Sequence, residues 1–507
     1  LPAGAVRATA RADTQNPLWH PEPRKEAAPR GRRPKWLSHI VLGHYIYDAN
    51  RNEILAVSKD LFNYISEVQA GKVCHASCKS DQEFQLLQSC GYCCDSPLQD
   101  IAYPSIDLLK VKLERNIRML TLQLTQSCNF RCDYCIYSGN SSYNRAHSHN
   151  SMSISTAKHA IEFFKMHSID NSNPVVAFYG GEPLLRFNEI KLITQYAEQV
   201  FEGKHISFRI TTNCSLLSEE MVKFFFDSGH EFYLLISLDG PQQIHDKSRH
   251  YANGKSSYQT VIDNVHMVLD SHPERNKYVH FNAVVDTNNI YKTVSSFIND
   301  KDIEDCDVQF NYLERNGRIA PYNDEFSSQL NYALFKARIM DERKIEKGNR
   351  NDRLASYTLA NINQNIKRFA PSNIPAKAIP GGPCEPGVTR LFVTTAGALL
   401  PCERVSETTK EMYIGTLDSG LNLGQIEKII NVSKLTSDSC KKCWAFQLCT
   451  QCIKSADCEG VISPDYKRTA CDNSKRIAFD RLNQKILRFE LHRHEVSIAT
   501  ALKRNKR

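Results

Sequence analysis

The chain has 507 residues, 41% of them hydrophobic and 24% charged, enough for two or three domains with a substantial buried core. No stretch approaches the roughly eighteen consecutive apolar residues of a membrane helix, so no membrane partner is expected. The net charge of +8 sits at the ends: residues 1–36 carry eight Lys or Arg against three acids and residues 475–507 carry ten against three, which leaves the body mildly acidic and argues against a nucleic-acid partner.

Residues 1–35, rich in Ala, Pro and Arg and without the apolar core of a secretory signal, read as a disordered basic tail. Residues 36–112 read as a small α+β unit. There a strand over His39–Tyr47, a turn at Asp48–Arg51 and a strand over Glu53–Val57 precede a helix opened by Ser58, with Phe62, Ile65 and Val68 at helical spacing.

From 115 to 320 the pattern is α/β. Strands are predicted at Met119–Thr125, Pro174–Tyr179, Ile206–Thr212, Phe232–Leu238, Val279–Val285 and Val308–Leu313, with amphipathic helices between them such as Ser155–Met166, Glu219–Ser228 and Tyr258–Leu269. This alternation implies a parallel sheet with right-handed crossovers, and both a partial barrel and an open doubly wound sheet fit it. Residues 321–380 read as a charged helical bridge. Residues 381–475 are short on helix signal and hold eight cysteines, as expected of a metal-organised domain, and 476–507 read as a basic C-terminal helix.

Eighteen cysteines in so long a chain, clustered at metal-ligand spacing, favour a reducing, cytoplasmic setting over a disulfide scaffold. Cys128, Cys132 and Cys135 directly follow the first strand of the α/β region, at the carboxyl end where such sheets place their ligands. Three thiolates on one loop can hold three irons of a 4Fe-4S cluster and leave the fourth open; a zinc site or buried free thiols are the alternatives. Gly180-Gly181-Glu182-Pro183 ends the second strand, where glycines permit close backbone approach and Glu182 offers an acceptor to an ammonium group.

The triplet, with Tyr134 before its last cysteine, resembles the signature of the radical S-adenosylmethionine (SAM) superfamily. That resemblance implies a partial (β/α)6 barrel, a 4Fe-4S cluster whose open iron chelates SAM, and a 5′-deoxyadenosyl radical that abstracts hydrogen. It makes Gly180, Gly181 and Glu182 the SAM amino-group motif, and Tyr134 and Asn213 further cofactor-binding positions. Ser237, in Ser237-Leu238-Asp239-Gly240-Pro241, would contact the ribose region. Arg249, after His245-Asp246, would pair with the SAM carboxylate.

Twelve residues separate Cys384 from Gly397 and four separate Gly397 from Cys402, with Cys440, Cys443, Cys449, Cys452 and Cys471 following. The order resembles the SPASM motif of peptide and protein maturases, although Cys449 and Cys452 are two residues apart where the family more often has three. By resemblance Cys384, Cys402 and Cys452 would hold one auxiliary 4Fe-4S cluster, and Cys440, Cys443, Cys449 and Cys471 a second. Arg390 stands where the usual extra ligand of the first would be, so that cluster has an open iron or is completed by Cys458. A two-zinc ribbon satisfies the same spacing. Cys74, Cys78, Cys90, Cys93 and Cys94 read as small hydrophobes packed in a helical region, and Cys214 and Cys306 as structural.

Together these resemblances, with the N-terminal α+β unit, imply a chain similar to maturases of ribosomally made peptides. Its winged-helix-like N-terminal unit would take the leader of a precursor peptide as an added strand, with a ferredoxin or flavodoxin as reductant, and the product would be an intramolecular cross-link such as a cysteine thioether. The anaerobic sulfatase-maturating type, which makes formylglycine, and a non-catalytic iron-sulfur peptide-binding scaffold are the alternatives.

Overall fold

The structure, a computed structural model, describes residues 36–504 except 41–42, 71–77, 140–143, 271, 296, 298–302, 304, 316–317, 320–322, 343–351, 367–370 and 382. The expected tail over 1–35 and Cys74 lie outside the described residues.

At the N-terminus β1 (Trp36–Ile40), β2 (Gly43–Asp48) and β3 (Glu53–Val57) form an antiparallel sheet. The single strand expected over His39–Tyr47 is thus two strands, because the β1–β2 pairing of Ile40 with Gly43 marks a reversal. Ser58 caps α1 (Lys59–Gln69), its hydroxyl accepting from the Leu61 amide at 3.2 Å, and Leu61, Phe62 and Ile65 pack with Ile46. Then come α2 (Cys78–Ser89), the two-residue β4 (Asp100–Ile101) and α3 (Ile106–Arg115).

The central region runs β5 (Met119–Thr125), α4 (Ile154–Met166), β6 (Val175–Gly180), α5 (Phe187–Val200), β7 (Ser207–Thr212), α6 (Glu219–Asp227) and β8 (Phe232–Ser237). It continues through α7 (Gln242–Ser248), α8 (Tyr258–Leu269), β9 (Val279–Val285), α9 (Tyr291–Ser295) and β10 (Asp307–Tyr312). The strands from β5 to β10 lie side by side in chain order and parallel. A doubly wound sheet needs a reversal of strand order, and there is none, so the sheet is singly wound as in a partial barrel.

Side-chain alternation then divides the sheet. Phe178, Phe208 and Phe232 stack on its outer face among the buried residues of α4 and α5, while Ala177, Arg209, Tyr233 and His280, on alternate positions, face one internal cavity.

Beyond β10 a short hairpin of β11 (Glu314–Arg315) and β12 (Arg318–Ile319) leads to α10 (Asp324–Glu342) and α11 (Arg353–Ile366), and β13 (Lys377–Ala378) pairs with β4. The chain then returns to the barrel. β14 (Leu391–Val393) adds in parallel beside β5, and β15 (Ala398–Leu400), β16 (Gly415–Thr416) and β17 (Gly420–Leu421) extend the same sheet to ten strands. α12 (Leu423–Ile430), α13 (Ser437–Lys441), the pair β18 (Asp457–Cys458) and β19 (Val461–Ile462), α14 (Pro464–Thr469) and α15 (Cys471–Arg504) complete the fold.

Between 381 and 470 the described helices α12, α13 and α14 are short, but metal is not all that organises the region. Ile426, Ile429 and Ile430 of α12 join Leu391, Val405, Met412 and Ile414 in the main core, so apolar burial as well as any metal holds this region. No described helix is long and apolar enough to cross a membrane.

Candidate active site

The loop from Cys128 to Cys135 is held on both sides. Its Arg131 and Asp133 amides donate to the carbonyls of His250 and Ser248, and the Ala252 amide donates to Asn129. Phe130 is buried edge-on against Tyr251 at 4.9 Å between centroids. On the other side the Gly181 and Glu182 amides donate to the carbonyls of Thr125 and Ser127 at 2.8 and 2.9 Å.

The two glycines are needed for that contact. A Cβ on Gly180 would stand 2.2 Å from the Thr125 carbonyl oxygen, and one on Gly181 would stand 2.0 Å from that of Ser127. The space they free is filled by the backbone that leads into the cysteine loop.

Glu182 is fully buried, and burial pushes its carboxyl up to about 7. One carboxylate oxygen accepts from the Leu184 amide (3.0 Å) and the Thr212 hydroxyl (2.7 Å), the other from the Asn213 amide (2.7 Å). Asn213 in turn donates to Asn129 Oδ1 at 2.8 Å, tying the end of β7 to the triplet.

Arg249, 7% exposed, forms an ion pair with Asp239 at 3.0 Å and lies 5.3 Å from the centre of the Tyr134 ring, whose hydroxyl donates to the same carboxylate. Burial works against the Arg249 charge, yet Asp239 holds it well above the usual guanidinium value. Asp239 also accepts from the Val284 amide at 2.9 Å, which fastens β9 to the site. The sequence reading quoted Asp239 without a role; an acid set between a strand end and Gly-Pro was the available signal.

Cys128, Tyr134, Cys132, Cys135, Gly180 and Gly181 line one cavity of about 2060 Å3, together with Glu182, Asn213, Ser237 and Arg249. Every sequence-predicted residue of the SAM site therefore borders the same space. Burial pushes the Cys128 thiol up to about 12 and Cys132 to about 11, so both are protonated at neutral pH until a metal binds.

The C-terminal thiols fall into two neighbourhoods. Cys402 is raised to about 12 by burial, then by Glu403 and the Cys452 and Cys384 thiols. Cys449 is raised to about 11 by burial, with Cys443 and Cys440 adding to it, and Cys443 likewise feels Cys440 and Cys471. Cys458 lies on β18, paired with Val461. Among the described residues no three His, Cys, Asp or Glu side chains converge on a single-ion point. The donor sets fit clusters, in which each thiolate binds a different iron.

Cys93, Cys214 and Cys306 are buried, whereas Cys90 and Cys94 are exposed and do not pack as the small hydrophobes expected. They follow the end of α2, where the chain turns out into solvent.

Residues 122–289 match the family described as the radical SAM superfamily. The chain carries a radical SAM domain. This family uses a 4Fe-4S cluster and SAM, and the cavity's thiol loop and buried Arg249–Asp239 pair suit both.

The chain is 29% identical over 156 residues to the cysteine-type anaerobic sulfatase-maturating enzyme of Clostridium novyi, covering 30% of this chain and 40% of that protein. It is 24% identical over 242 residues to the radical SAM cyclopropyl synthase TigE of Paramaledivibacter caminithermalis, covering 46% and 47%. An uncharacterized protein of Methanocaldococcus jannaschii is 32% identical over 152 residues, covering 30% of this chain and 49% of that one. The chain thus spans less than half the length of these relatives. Among solved structures, the sulfatase-maturating enzyme anSMEcpe with bound AdoMet and a peptide shares the fold at a TM-score of 0.51 and 17% identity, covering 73% of this chain and 98% of that one.

Proposed function

We propose that the chain is a radical SAM maturase that abstracts hydrogen from a precursor peptide and closes an intramolecular cross-link, a cysteine thioether. The observation that carries this reading is the shared chamber. The Cys128–Cys135 loop and Glu403, Arg404 and Lys454, which flank Cys402 and Cys452, border one cavity, so a substrate inside it lies between the thiol loop and the segments that carry the first C-terminal thiols.

In this reading Cys128, Cys132 and Cys135 hold the SAM-binding cluster, and the seven cysteines Cys384, Cys402, Cys440, Cys443, Cys449, Cys452 and Cys471 hold two auxiliary ones. When bound, these groups supply the 5′-deoxyadenosyl radical and an acceptor for the remaining electron. Arg249, anchored by Asp239, offers its guanidinium to the SAM carboxylate, and the turn at Gly180–Glu182 supplies acceptors for its ammonium. The sheet β1–β3 presents β3 as an edge strand on which a leader peptide can add, and a ferredoxin or flavodoxin reduces the clusters.

A second reading, formylglycine formation, is favoured by the similarity to sulfatase-maturating enzymes. Anaerobic reconstitution followed by dithionite reduction tests both. The wild type should release 5′-deoxyadenosine and the Cys128→Ala, Cys132→Ala, Cys135→Ala triple variant should not; equal release, or none from an iron-loaded wild type, would leave a binding scaffold. With a peptide, loss of two hydrogens together with loss of thiol alkylation supports the cross-link, whereas a hydrazide-reactive carbonyl supports formylglycine.

A further inference from the structure

Three thiols, those of Cys384, Cys402 and Cys452, form the first C-terminal set, one short of a fully ligated 4Fe-4S cluster. Cys458, the next unused cysteine after Cys452, lies on β18 paired with Val461. Glu403 is the residue next to Cys402, and its charge acts on both the Cys384 and the Cys402 thiols.

Glu403 follows Cys402 directly after β15, with its side chain 13% exposed. One carboxylate oxygen, Oε1, pairs with Arg390 and lies 3.7 Å from Arg404 Nε. The other, Oε2, is buried and has no hydrogen-bond partner among the described residues. A buried carboxylate oxygen without a partner is costly, and native proteins leave few. Here it belongs to the residue next to Cys402, one that borders the cavity and whose charge also acts on the Cys384 thiol, where an iron would satisfy it. The Arg390 pairing accounts for the arginine standing where the family's extra ligand falls: it holds the replacement.

We propose that Glu403, through Oε2, is the fourth ligand of the first auxiliary cluster, with Arg390 fixing its other oxygen and Cys458 left free. This rests on the reading of the C-terminal thiols as cluster ligands. A carboxylate is harder than a thiolate and binds cluster iron less tightly, so this fourth position is exchangeable. A peptide thiolate entering the cavity can displace Oε2, and the released carboxylate stays paired with Arg390.

The test uses the full-length Cys128→Ala, Cys132→Ala, Cys135→Ala variant, so that only auxiliary clusters contribute, reconstituted anaerobically and examined for iron content, electron paramagnetic resonance and iron Mössbauer spectra. On this background Glu403→Gln should shift the spectrum of one iron site while Cys458→Ala leaves it unchanged. Glu403→Cys should load as much iron as its parent and convert that site to a thiolate-ligated signal, which also guards against a Glu403→Gln protein that does not fold. A shift with Cys458→Ala and none with Glu403→Gln, or no shift with either, overturns the assignment while leaving the clusters in place. Absence of iron from the background variant overturns the cluster reading itself, and the iron content alone distinguishes that outcome.

Discussion

Gly181 shows how a single hydrogen atom in place of a methyl group positions a metal loop. Its Cβ would overlap the Ser127 carbonyl, a backbone atom that cannot rotate away, so Gly181→Ala must push the Cys128 loop off β6. The expected outcome is loss of most SAM affinity and of iron from the radical-forming site, with the auxiliary iron retained, measured by SAM binding and iron content. The sequence placed these glycines at a ligand turn, and the reason for them is the chain's own backbone.

His245 is a second residue-scale case. It is fully buried, its Nε2 lies 3.0 Å from the Ser257 hydroxyl, and burial, then the nearby Arg249 charge, lowers it to about 4. The folded protein therefore binds fewer protons than the unfolded chain between pH 4 and the ordinary histidine value of about 6.5, so stability is full above about 6.5 and falls as pH drops through this window. His245→Gln should remove this dependence. Relative to its own value at pH 7, the wild type should lose roughly 2 kcal/mol more than the variant at about pH 5 in urea unfolding.

At the scale of elements, the strands from β5 to β10 were legible because short runs of β-branched, aromatic and other apolar residues alternate with amphipathic helices, and two of the strands and one helix match their expected limits. β14 was not legible. Three residues, Leu391–Val393, carry no period worth reading, and their strand identity comes from pairing with β5, more than two hundred residues away. This pairing and α12 anchor the start of the cysteine-rich region by ordinary packing, while residues 437–470, with short helices and turns, carry four of the proposed cluster ligands, Cys440, Cys443, Cys449 and Cys452, so metal is expected to order them. Iron-free protein should resist limited proteolysis across 391–430 and be cut within 437–470; uniform protection of both would show that metal is not needed to order the second segment.

For the whole molecule, the main consequence of the tertiary structure is that one cavity joins the thiol loop at the end of β5 to the segments flanking Cys402 and Cys452. The sheet brings this about. By adding β14 beside β5 and β15 antiparallel to β14, the chain brings Cys402 to the end of the sheet where β5 starts, opposite the end from which the Cys128 loop leaves, and the cavity runs between the two ends. The N-terminal sheet is tied in separately, through Tyr47 and Ala49 packed with Ala445, Leu448, Ala478 and Leu482.

The sequence by itself determined the chemistry that depends on local spacing: a three-thiol loop after a strand, a glycine turn, a run of C-terminal cysteines and six alternating strands and helices. These were readable because ligand spacing and hydrophobic period are properties of neighbouring residues. Only the tertiary structure decided between a singly and a doubly wound sheet, showed Asp239 as the anchor of Arg249, and set the Glu403 carboxylate beside Cys384 and Cys402. Strand order, ion pairing and a buried unpartnered oxygen arise from contacts between distant segments, which no local pattern encodes.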